Sequence, residues 1–396
     1  MPKALFFSVP AHGHINPSLP LVKELVGRGH EITYFTTEDY RPRIEATGAV
    51  VQIYTGIEDD YFDARGLDGS RPQKAALALL TTTKAILPGL LEAVAHAKPH
   101  YILYDCMCPW GYFIARIMEL PAVSSASLMP LSPRSMLTWQ ALRLLLPMLA
   151  KDFRAGNEAN RLSKALGKQF AVKPLTLMNI LNAPGDLIIS YSSAAYVPFA
   201  DTLPDNVSLI GWTMPENHAD EPFAHDSQRP LVYISLGTVI NDNQDFYRLC
   251  ISALGGMPYD VLITTGGRFS PEQFGTLPDN VSIRTWVPQG QVLKQASVFI
   301  THGGLNSIHE GLYCDLPLLV VPQQTEQTFN ALRVVELGAG LMLKPDTLNA
   351  GNLRDAVTQL LADDRYRSQA KRIGETLRSA GGVTRAVDEI EHLLRR

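Results

Sequence analysis

Short apolar runs alternate with segments of helical length along most of the chain. Runs of strand length stand at Ala4–Val9, Glu31–Thr37, His100–Cys106 and Asp186–Ser192. After residue 230 the alternation restarts, with strand candidates at Leu231–Gly237, Asp260–Gly266, Val281–Val287 and Ser297–Gly304. A repeated strand–helix order is typical of parallel sheets covered by helices. We therefore predict an α/β protein with a doubly wound sheet in each half.

The first helix is expected to begin at Asn16–Pro17, because asparagine is a favoured helix cap and proline suits the first turn. It should end at Gly27 or Gly29, since glycine is common just after a helix. This interpretation leaves His12 and His14 in a loop after the first strand.

The polar, proline-containing segment 213–230 lacks apolar periodicity and marks a linker between domains. With 396 residues the chain is too long for one ordinary core. We predict an N-terminal domain at 1–212 and a second domain at 231–375. The segment 376–396 is expected to be a C-terminal helix that packs back on the N-terminal domain.

Composition narrows the possible partners. The chain is 46% hydrophobic and 19% charged with a net charge of -4, which is typical of a globular enzyme and leaves no basic surface for nucleic acid or anionic lipid. Its uncharged stretches are too short and too broken to span a bilayer, and its N-terminus resembles a first strand more than a signal peptide. We expect a cytoplasmic protein with small-molecule partners and no stable membrane association.

The 4 cysteines show no zinc-ligand spacing, so we expect packed, reduced thiols.

Two apolar segments, Ala75–Ala97 and Ser135–Phe153, are expected to be helices that mostly serve the core. Their side chains could instead line an apolar ligand pocket, with Met136, Trp139 and Met148 as the candidates.

The segment Thr301–Gly311 suggests a phosphate site. A strand runs to Thr301, a loop follows at His302–Gly304, and a helix is expected to start near Asn306–Ser307. Glycines allow close backbone approach, and the first amides of a helix favour an anion. His302 adds a donor that can become cationic beside a phosphate.

Glu310 lies one turn beyond Ser307, where its carboxylate could accept hydrogen bonds from a vicinal diol such as a ribose. The alternative is structural: a glycine turn, a capping serine and a solvated glutamate.

The segment Pro10–Pro17 carries two imidazoles, which are the usual general bases for hydroxyl nucleophiles near neutral pH. A carboxylate often orients such a base. Asp105 ends a predicted strand and could serve in this way, or it could only cap the strand end.

The segments around Thr301–Gly311 extend the pattern. Trp286–Gly340 contains W-V-P-Q, T-H-G-G-L-N-S-I-H-E, G-L-Y-C-D-L-P and E-Q-T-F-N in this order. This region resembles the nucleotide-sugar signature of the UDP-glycosyltransferases. The N-terminal A-H-G-H-I-N-P and the later Y-I-S-L-G-T also fit, so the resemblance covers most of the chain and is greatest to bacterial macrolide and flavonoid glycosyltransferases.

The resemblance implies the GT-B architecture, in which two Rossmann-like domains face each other across a cleft. It implies that Trp286 stacks on uracil, that Val287 and Gln289 contact the base and ribose, and that Glu310 holds the ribose hydroxyls. The diphosphate would be held by Ser235, Gly237, Thr238, His302, Gly304, Asn306 and Ser307. Glu326 and Gln327 would bind the transferred sugar.

The resemblance also makes His14 the general base and Asp105 its carboxylate partner, with His12 supporting the loop. The implied reaction is inverting transfer of glucose from UDP-glucose to a hydroxyl of a small apolar acceptor, such as a flavonoid, phenol, macrolide or other natural product. No Asp-x-Asp motif occurs in the chain, so we expect no metal and no other cofactor.

Three other functions stay open at this point. A nucleotide-sugar epimerase of the same architecture would need no acceptor. A glycosyltransferase acting on a lipid carrier would need a membrane-facing patch. A non-catalytic nucleotide-sugar binding protein could dispense with His14.

Overall fold

The computed structural model describes residues 1–61, 71–138, 151–214, 223–225, 227–237 and 241–396. The chain divides into two compact units. The first comprises Met1–Thr213 together with Ala380–Arg396, and the second comprises Met214–Ser379. Each unit contains one parallel sheet, as the alternation of apolar runs predicts.

The sheet of the first unit has seven strands in the order β3-β2-β1-β4-β5-β6-β7. They are β1 (Lys3–Phe7), β2 (Glu31–Thr36), β3 (Val50–Ile53), β4 (Tyr101–Asp105), β5 (Ala122–Ala126), β6 (Leu187–Ser190) and β7 (Val207–Leu209). The described helices are α1 (His12–Gly27), α2 (Arg41–Glu45), α3 (Pro72–Ala97), α4 (Pro109–Ile117), α5 (Pro133–Met136), α6 (Phe153–Phe170) and α7 (Leu177–Leu181).

The sheet of the second unit has six strands in the order β10-β9-β8-β11-β12-β13. They are β8 (Leu231–Ser235), β9 (Asp260–Thr264), β10 (Val281–Arg284), β11 (Val298–Thr301), β12 (Leu318–Val320) and β13 (Gly340–Met342). The helices are α8 (Gln244–Leu254), α9 (Gln289–Leu293), α10 (Leu305–Tyr313), α11 (Thr325–Glu336), α12 (Ala350–Ala362) and α13 (Asp364–Ser379). A last helix, α14 (Gly382–Leu394), belongs to the first unit.

The C-terminal helix α14 packs against α1 of the first unit. Arg28 near the end of α1 forms an ion pair of 2.5 Å with Asp388 and donates to the carbonyl of Thr384 at 3.2 Å. The amide of Gly382 also donates to the carbonyl of Ile210 at 2.8 Å. These contacts hold the C-terminal helix against α1 and against Ile210, the residue that follows β7.

The first helix begins earlier than the sequence predicts. α1 starts at His12, with Pro17 and Pro20 inside it, so both histidines lie in its first turn and not in a loop. Each proline removes one helical hydrogen bond. The side chains of Ile15, Leu19 and Val22 are buried, and this burial offsets the loss.

One helix among the described residues, α3, is long and apolar enough to span a membrane. Its buried face instead contributes to the apolar core of the first unit, where Leu79, Leu87 and Val94 are fully buried. This position agrees with the core assignment made for Ala75–Ala97. Of the second apolar segment, Ser135–Phe153, residues 139–150 lie outside the described part of the chain.

The strand orders place a switch point in each sheet. β1 pairs with both β2 and β4, and β8 pairs with both β9 and β11. Loops that leave the carboxyl ends of such strands in opposite directions form the usual ligand sites of open α/β sheets. His14 follows β1, and Asp105 ends β4. Ser235 ends β8, and His302 follows β11.

Candidate active site

His14 and Asp105 meet at the switch point of the first sheet. Nδ1 of His14 lies 2.9 Å from each carboxylate oxygen of Asp105, although the two residues are 91 positions apart in sequence. The Asp105 side chain is 1% exposed and that of His14 is 13% exposed. A proton on Nδ1 is shared with the carboxylate, so Nε2 is left with a lone pair that can accept a proton.

Ser127 joins this pair, and the sequence analysis did not include it. Its hydroxyl lies 2.8 Å from Nδ1 of His14 and 3.0 Å from Oδ2 of Asp105. Ser127 follows β5, which pairs with β4, so both side chains leave the sheet at neighbouring strand ends. The signal in the sequence is the serine-rich stretch 124–127, which ends a strand and so places Ser127 at the same sheet edge as Asp105.

His12 is held differently. Its Nδ1 lies 3.1 Å from a guanidinium nitrogen of Arg43, and its ring packs edge-on against Tyr40. Arginine has no acceptor, so Nδ1 accepts and the proton of the neutral ring is on Nε2. Burial, and then the charge of Arg43, lower the pKa of His12.

The second unit presents a glycine-lined loop around His302. A Cβ at Gly237 would lie 2.8 Å from Cε1 of His302, and a Cβ at Gly304 would lie 2.5 Å from Nε2. Gly237 and Gly303 also have φ of 79° and 91°, in the left-handed region that favours glycine. The hydroxyl of Ser235 accepts from the amide of Gly237 at 3.3 Å. The backbone of Gly237 and Gly304 thus lies directly against the imidazole, and a side chain at either position would clash with the ring.

Burial lowers the pKa of His302 to about 4, so its ring is neutral near pH 7 unless an anion raises the value. The backbone of Ser235 contacts the ring and opposes this shift in pKa. α10 begins at Leu305, directly after Gly304, which has no side chain to cap the first amides. Asn306 and Ser307 lie in this first turn, and both are partly exposed. The loop therefore offers several donors to an anion.

Gln289 and Glu310 are in direct contact. Gln289, the first residue of α9, donates to the Glu310 carboxylate on α10 and accepts from the hydroxyl of Tyr233 at 3.0 Å. Desolvation raises the pKa of Glu310 to about 7, and the bond from Gln289 opposes this shift. The raised pKa means that few hydrogen-bond donors stabilise the charged carboxylate, so further donors would bind it strongly.

Trp286 lies in the loop between β10 and α9, one residue before Val287. It is 58% exposed, the largest side chain among the exposed hydrophobic residues described. A Cβ at Gly267, where φ is 81°, would lie 3.2 Å from Nε1 of the indole. The indole of Trp286 is therefore accessible to solvent and lies beside the backbone at Gly267.

Glu326 and Gln327 are at the start of α11. Oε1 of Gln327 accepts from the amides of Gln323 and Gln324 at 2.8 and 3.1 Å, so this side chain also caps the helix. Glu326 accepts from Nδ2 of Asn330 at 2.7 Å.

Asn330 is a buried residue that the sequence analysis recorded only as the last letter of a motif. Besides its bond to Glu326, Nδ2 donates to the carbonyl of Gly303 at 3.0 Å, which links the start of α11 to the glycine loop. Thr238, Trp139 and Met148 lie outside the described residues, as does the side chain of Met136.

Comparison with known proteins identifies the family. The chain is 33% identical to the NDP-glycosyltransferase YjiC of Bacillus licheniformis, over 98% of this chain and 96% of that protein. It is 29% identical to the oleandomycin glycosyltransferase of Streptomyces antibioticus, over 97% of this chain and 89% of that protein. Residues 248–393 match the family described as erythromycin biosynthesis protein CIII-like, C-terminal domain.

Solved structures agree. The glycotransferase of kitacinnamycin superposes with a TM-score of 0.87 at 27% identity, with full coverage of both chains. The calicheamicin glycosyltransferase CalG4 superposes with a TM-score of 0.82 at 30% identity, covering 100% of this chain and 99% of that one. The chain belongs to the nucleotide-sugar-dependent glycosyltransferases of the GT-B fold, which confirms the predicted family, fold and enzyme class.

Proposed function

We propose that this glycosyltransferase moves glucose from UDP-glucose to a hydroxyl of a small apolar natural product, with inversion at the anomeric carbon. The observation that carries the proposal is the 2.9 Å contact between His14 and Asp105, because it leaves Nε2 of a carboxylate-oriented imidazole able to accept a proton.

The proposed reaction is one displacement. Nε2 of His14 takes the proton of the acceptor hydroxyl as its oxygen attacks the anomeric carbon. The bond from that carbon to the diphosphate oxygen breaks, and UDP leaves from the opposite face. An α-linked donor then gives a β-glycoside. Asp105 stabilises the imidazolium that forms.

The donor assignment rests on the second unit. Glu310 has a carboxylate oxygen bonded to Gln289 and offers its remaining acceptor capacity to ribose hydroxyls. Trp286 offers an exposed aromatic surface on which a base can stack. The name of the Bacillus licheniformis relative leaves the nucleotide open, and the two hydroxyls of a ribose are what favour UDP over dTDP at Glu310.

The charge of the departing diphosphate would be met by donors of the protein. The first amides of α10, the hydroxyls of Ser235 and Ser307, and the imidazole of His302 supply them without a metal. An anion beside His302 would raise the pKa of the ring from about 4 and so strengthen this donor as negative charge develops.

The acceptor assignment is supported by relatives. The oleandomycin and calicheamicin glycosyltransferases are named for natural products. An epimerase has no acceptor hydroxyl for the His14–Asp105 pair to deprotonate. A non-catalytic binding protein needs no general base, so the presence of the pair argues against both alternatives.

The test is a matrix of donors and acceptors. UDP-glucose and dTDP-glucose are each incubated with phenols, flavonoids and macrolides, and products are read by mass spectrometry. We expect glucosides with UDP-glucose and at least tenfold slower transfer from dTDP-glucose, because one charge-assisted hydrogen bond is lost. Conversion of the donor without any acceptor would indicate an epimerase. Equal or faster use of dTDP-glucose would contradict the role given to Glu310.

A further inference from the structure

The hydroxyl of Ser127 occupies the centre of the polar cluster at the first switch point. Oγ lies 2.8 Å from Nδ1 of His14, 3.0 Å from Oδ2 of Asp105 and 3.5 Å from Sγ of Cys106. Ser127 is 6% exposed. We propose that Ser127 is a positioning residue that orients the His14–Asp105 pair and stabilises His14 once it holds the acceptor's proton. This inference rests on the proposed role of His14 as general base.

The direction of each hydrogen bond follows from the groups present. A carboxylate only accepts, so the hydroxyl proton of Ser127 points to Oδ2 of Asp105. The Ser127 oxygen then presents lone pairs to the N–H of His14 Nδ1. One hydroxyl thus binds both members of the pair and restricts rotation of the imidazole.

The same geometry makes the effect of Ser127 depend on the charge of His14. Nδ1–H carries more positive charge in the imidazolium than in the neutral ring, so an oxygen at 2.8 Å stabilises the protonated form more. Removing the hydroxyl should lower the pKa of His14 and make it a weaker base.

Among the described residues, the titratable side chains near Asp105 on the neighbouring strands are neutral near pH 7. Burial raises the pKa of Cys106 to about 12 and raises the pKa of Cys108 well above its usual value. Burial also raises the pKa values of Tyr34 and Tyr191, on or next to the strands that flank β1 and β5. On α1 itself, His12 is paired with Arg43. Asp105 is therefore the charged group in direct contact with both His14 and Ser127.

A neighbouring serine provides a matched control. Ser125 is as buried as Ser127, at 1% exposed, but its hydroxyl lies 2.8 Å from the hydroxyl of Tyr191. Ser125→Ala therefore removes the same chemical group two residues earlier, within β5, where the hydroxyl contacts Tyr191 and not the imidazole. A role of Ser127 in packing alone would make the two alanine variants alike.

The experiment compares wild type, Ser127→Ala, Ser125→Ala and His14→Ala. The donor is whichever of UDP-glucose and dTDP-glucose supports transfer. The acceptors are the best alcohol of the acceptor panel and 4-nitrophenol, an acidic phenol that supplies its own anion. The kcat is measured from pH 5.5 to pH 9, and thermal unfolding confirms that each variant is folded.

Ser127→Ala should lose roughly three- to tenfold in kcat on the alcohol and less than about twofold on 4-nitrophenol. The acid limb of its kcat–pH profile on the alcohol should move to lower pH by several tenths of a pH unit. Ser125→Ala should keep the wild-type limb and the wild-type ratio between the two acceptors.

Two results would overturn the inference, and they differ in what else they overturn. If His14→Ala loses activity on the alcohol while Ser127→Ala has the wild-type limb and acceptor ratio, only the role of Ser127 is wrong. If His14→Ala keeps full activity on the alcohol, the general base itself is wrong, and the inference built on it falls as well.

Discussion

His12 and His14 lie two residues apart in the first turn of α1, but their Nδ1 atoms are used in opposite ways. Nδ1 of His14 shares its proton with Asp105 at 2.9 Å, whereas Nδ1 of His12 accepts from Arg43 at 3.1 Å. The two neutral rings are therefore opposite tautomers. Only His14 is left with an unprotonated Nε2, whereas the sequence distinguishes the two histidines only through the family resemblance.

Trp286→Ala should weaken UDP binding roughly tenfold to a hundredfold, because base–aromatic stacking contributes about 1–3 kcal/mol. The melting temperature should change by less than about 1 °C, since the side chain is 58% exposed and adds little to the core. Calorimetry and thermal unfolding measure the two effects. Trp286→Phe keeps a flat ring and should be intermediate. An unchanged Kd for UDP in Trp286→Ala would show that the base binds elsewhere.

Glu310 should make stability depend on pH. Its pKa of about 7 in the folded protein is above the usual 4.5, so its contribution to stability is fully present below pH 4.5 and is lost as the pH rises through 7. Glu310→Gln keeps the shape and removes this titration. We expect Glu310→Gln to raise the melting temperature by roughly 3–6 °C at pH 8 and to leave it unchanged near pH 4.5. A shift of equal size at both pH values would contradict the raised pKa.

The same group should couple donor binding to pH. Ribose hydroxyls that donate to Glu310 favour its charged form, so UDP-glucose binding should release protons below about pH 7 and tighten as the pH rises to that value. UDP-glucose, unlike UDP, has no phosphate group that titrates near pH 7. Calorimetry in buffers of different ionisation enthalpy counts the protons, and Glu310→Gln should release none. Equal proton release by wild type and the variant would assign the effect to another group.

Glu326→Gln and Gln327→Ala should both slow transfer on the order of tenfold while changing the Kd of UDP by less than about threefold. They should differ in stability. Gln327→Ala removes the acceptor of two backbone amides and should lower the melting temperature by about 2–4 °C. Glu326→Gln keeps an acceptor for Asn330 and should not. Loss of UDP binding in Glu326→Gln would place this residue at the diphosphate and not at the sugar.

Activity should survive EDTA, because the proposed diphosphate donors are amides, hydroxyls and an imidazole. The assay is initial rate after dialysis against chelator, with and without added Mg²⁺ or Mn²⁺. A strict requirement for either ion would mean that the neutralisation of the diphosphate has been assigned to the wrong groups.

The sequence predicts the parts of the site that stand in long periodic segments. β1 and β4 are strongly apolar, so the alternation alone predicts that His14, shortly after β1, and Asp105, at the end of β4, lie near the carboxyl ends of their strands. The place of Ser127 could not be predicted in this way, because β5 includes two serines and so has no continuous apolar run. The pairing of His12 with Arg43 joins residues 31 apart in sequence, one in α1 and one in α2, and no local pattern specifies this contact.

The start of α1 shows a second limit. Asn16–Pro17 has the composition of a helix start, but the helix begins four residues earlier, at His12, and Ile15 in the added turn is buried. The capping role of Gln327 is a third case. Side-chain bonds to backbone amides depend on the path of the chain before the helix, which the motif does not describe.

The central claim is that His14 is the general base. The most direct measurement is kcat of His14→Ala and His12→Ala on an alcohol and on 4-nitrophenol, with UDP affinity measured alongside. His14→Ala should lose roughly 10² to 10⁴ in rate on the alcohol, much less on the acidic phenol, and almost nothing in UDP affinity. His12→Ala should be milder on both acceptors, because its Nε2 carries a proton. Full alcohol activity in His14→Ala together with its loss in His12→Ala would contradict the account and make His12 the base.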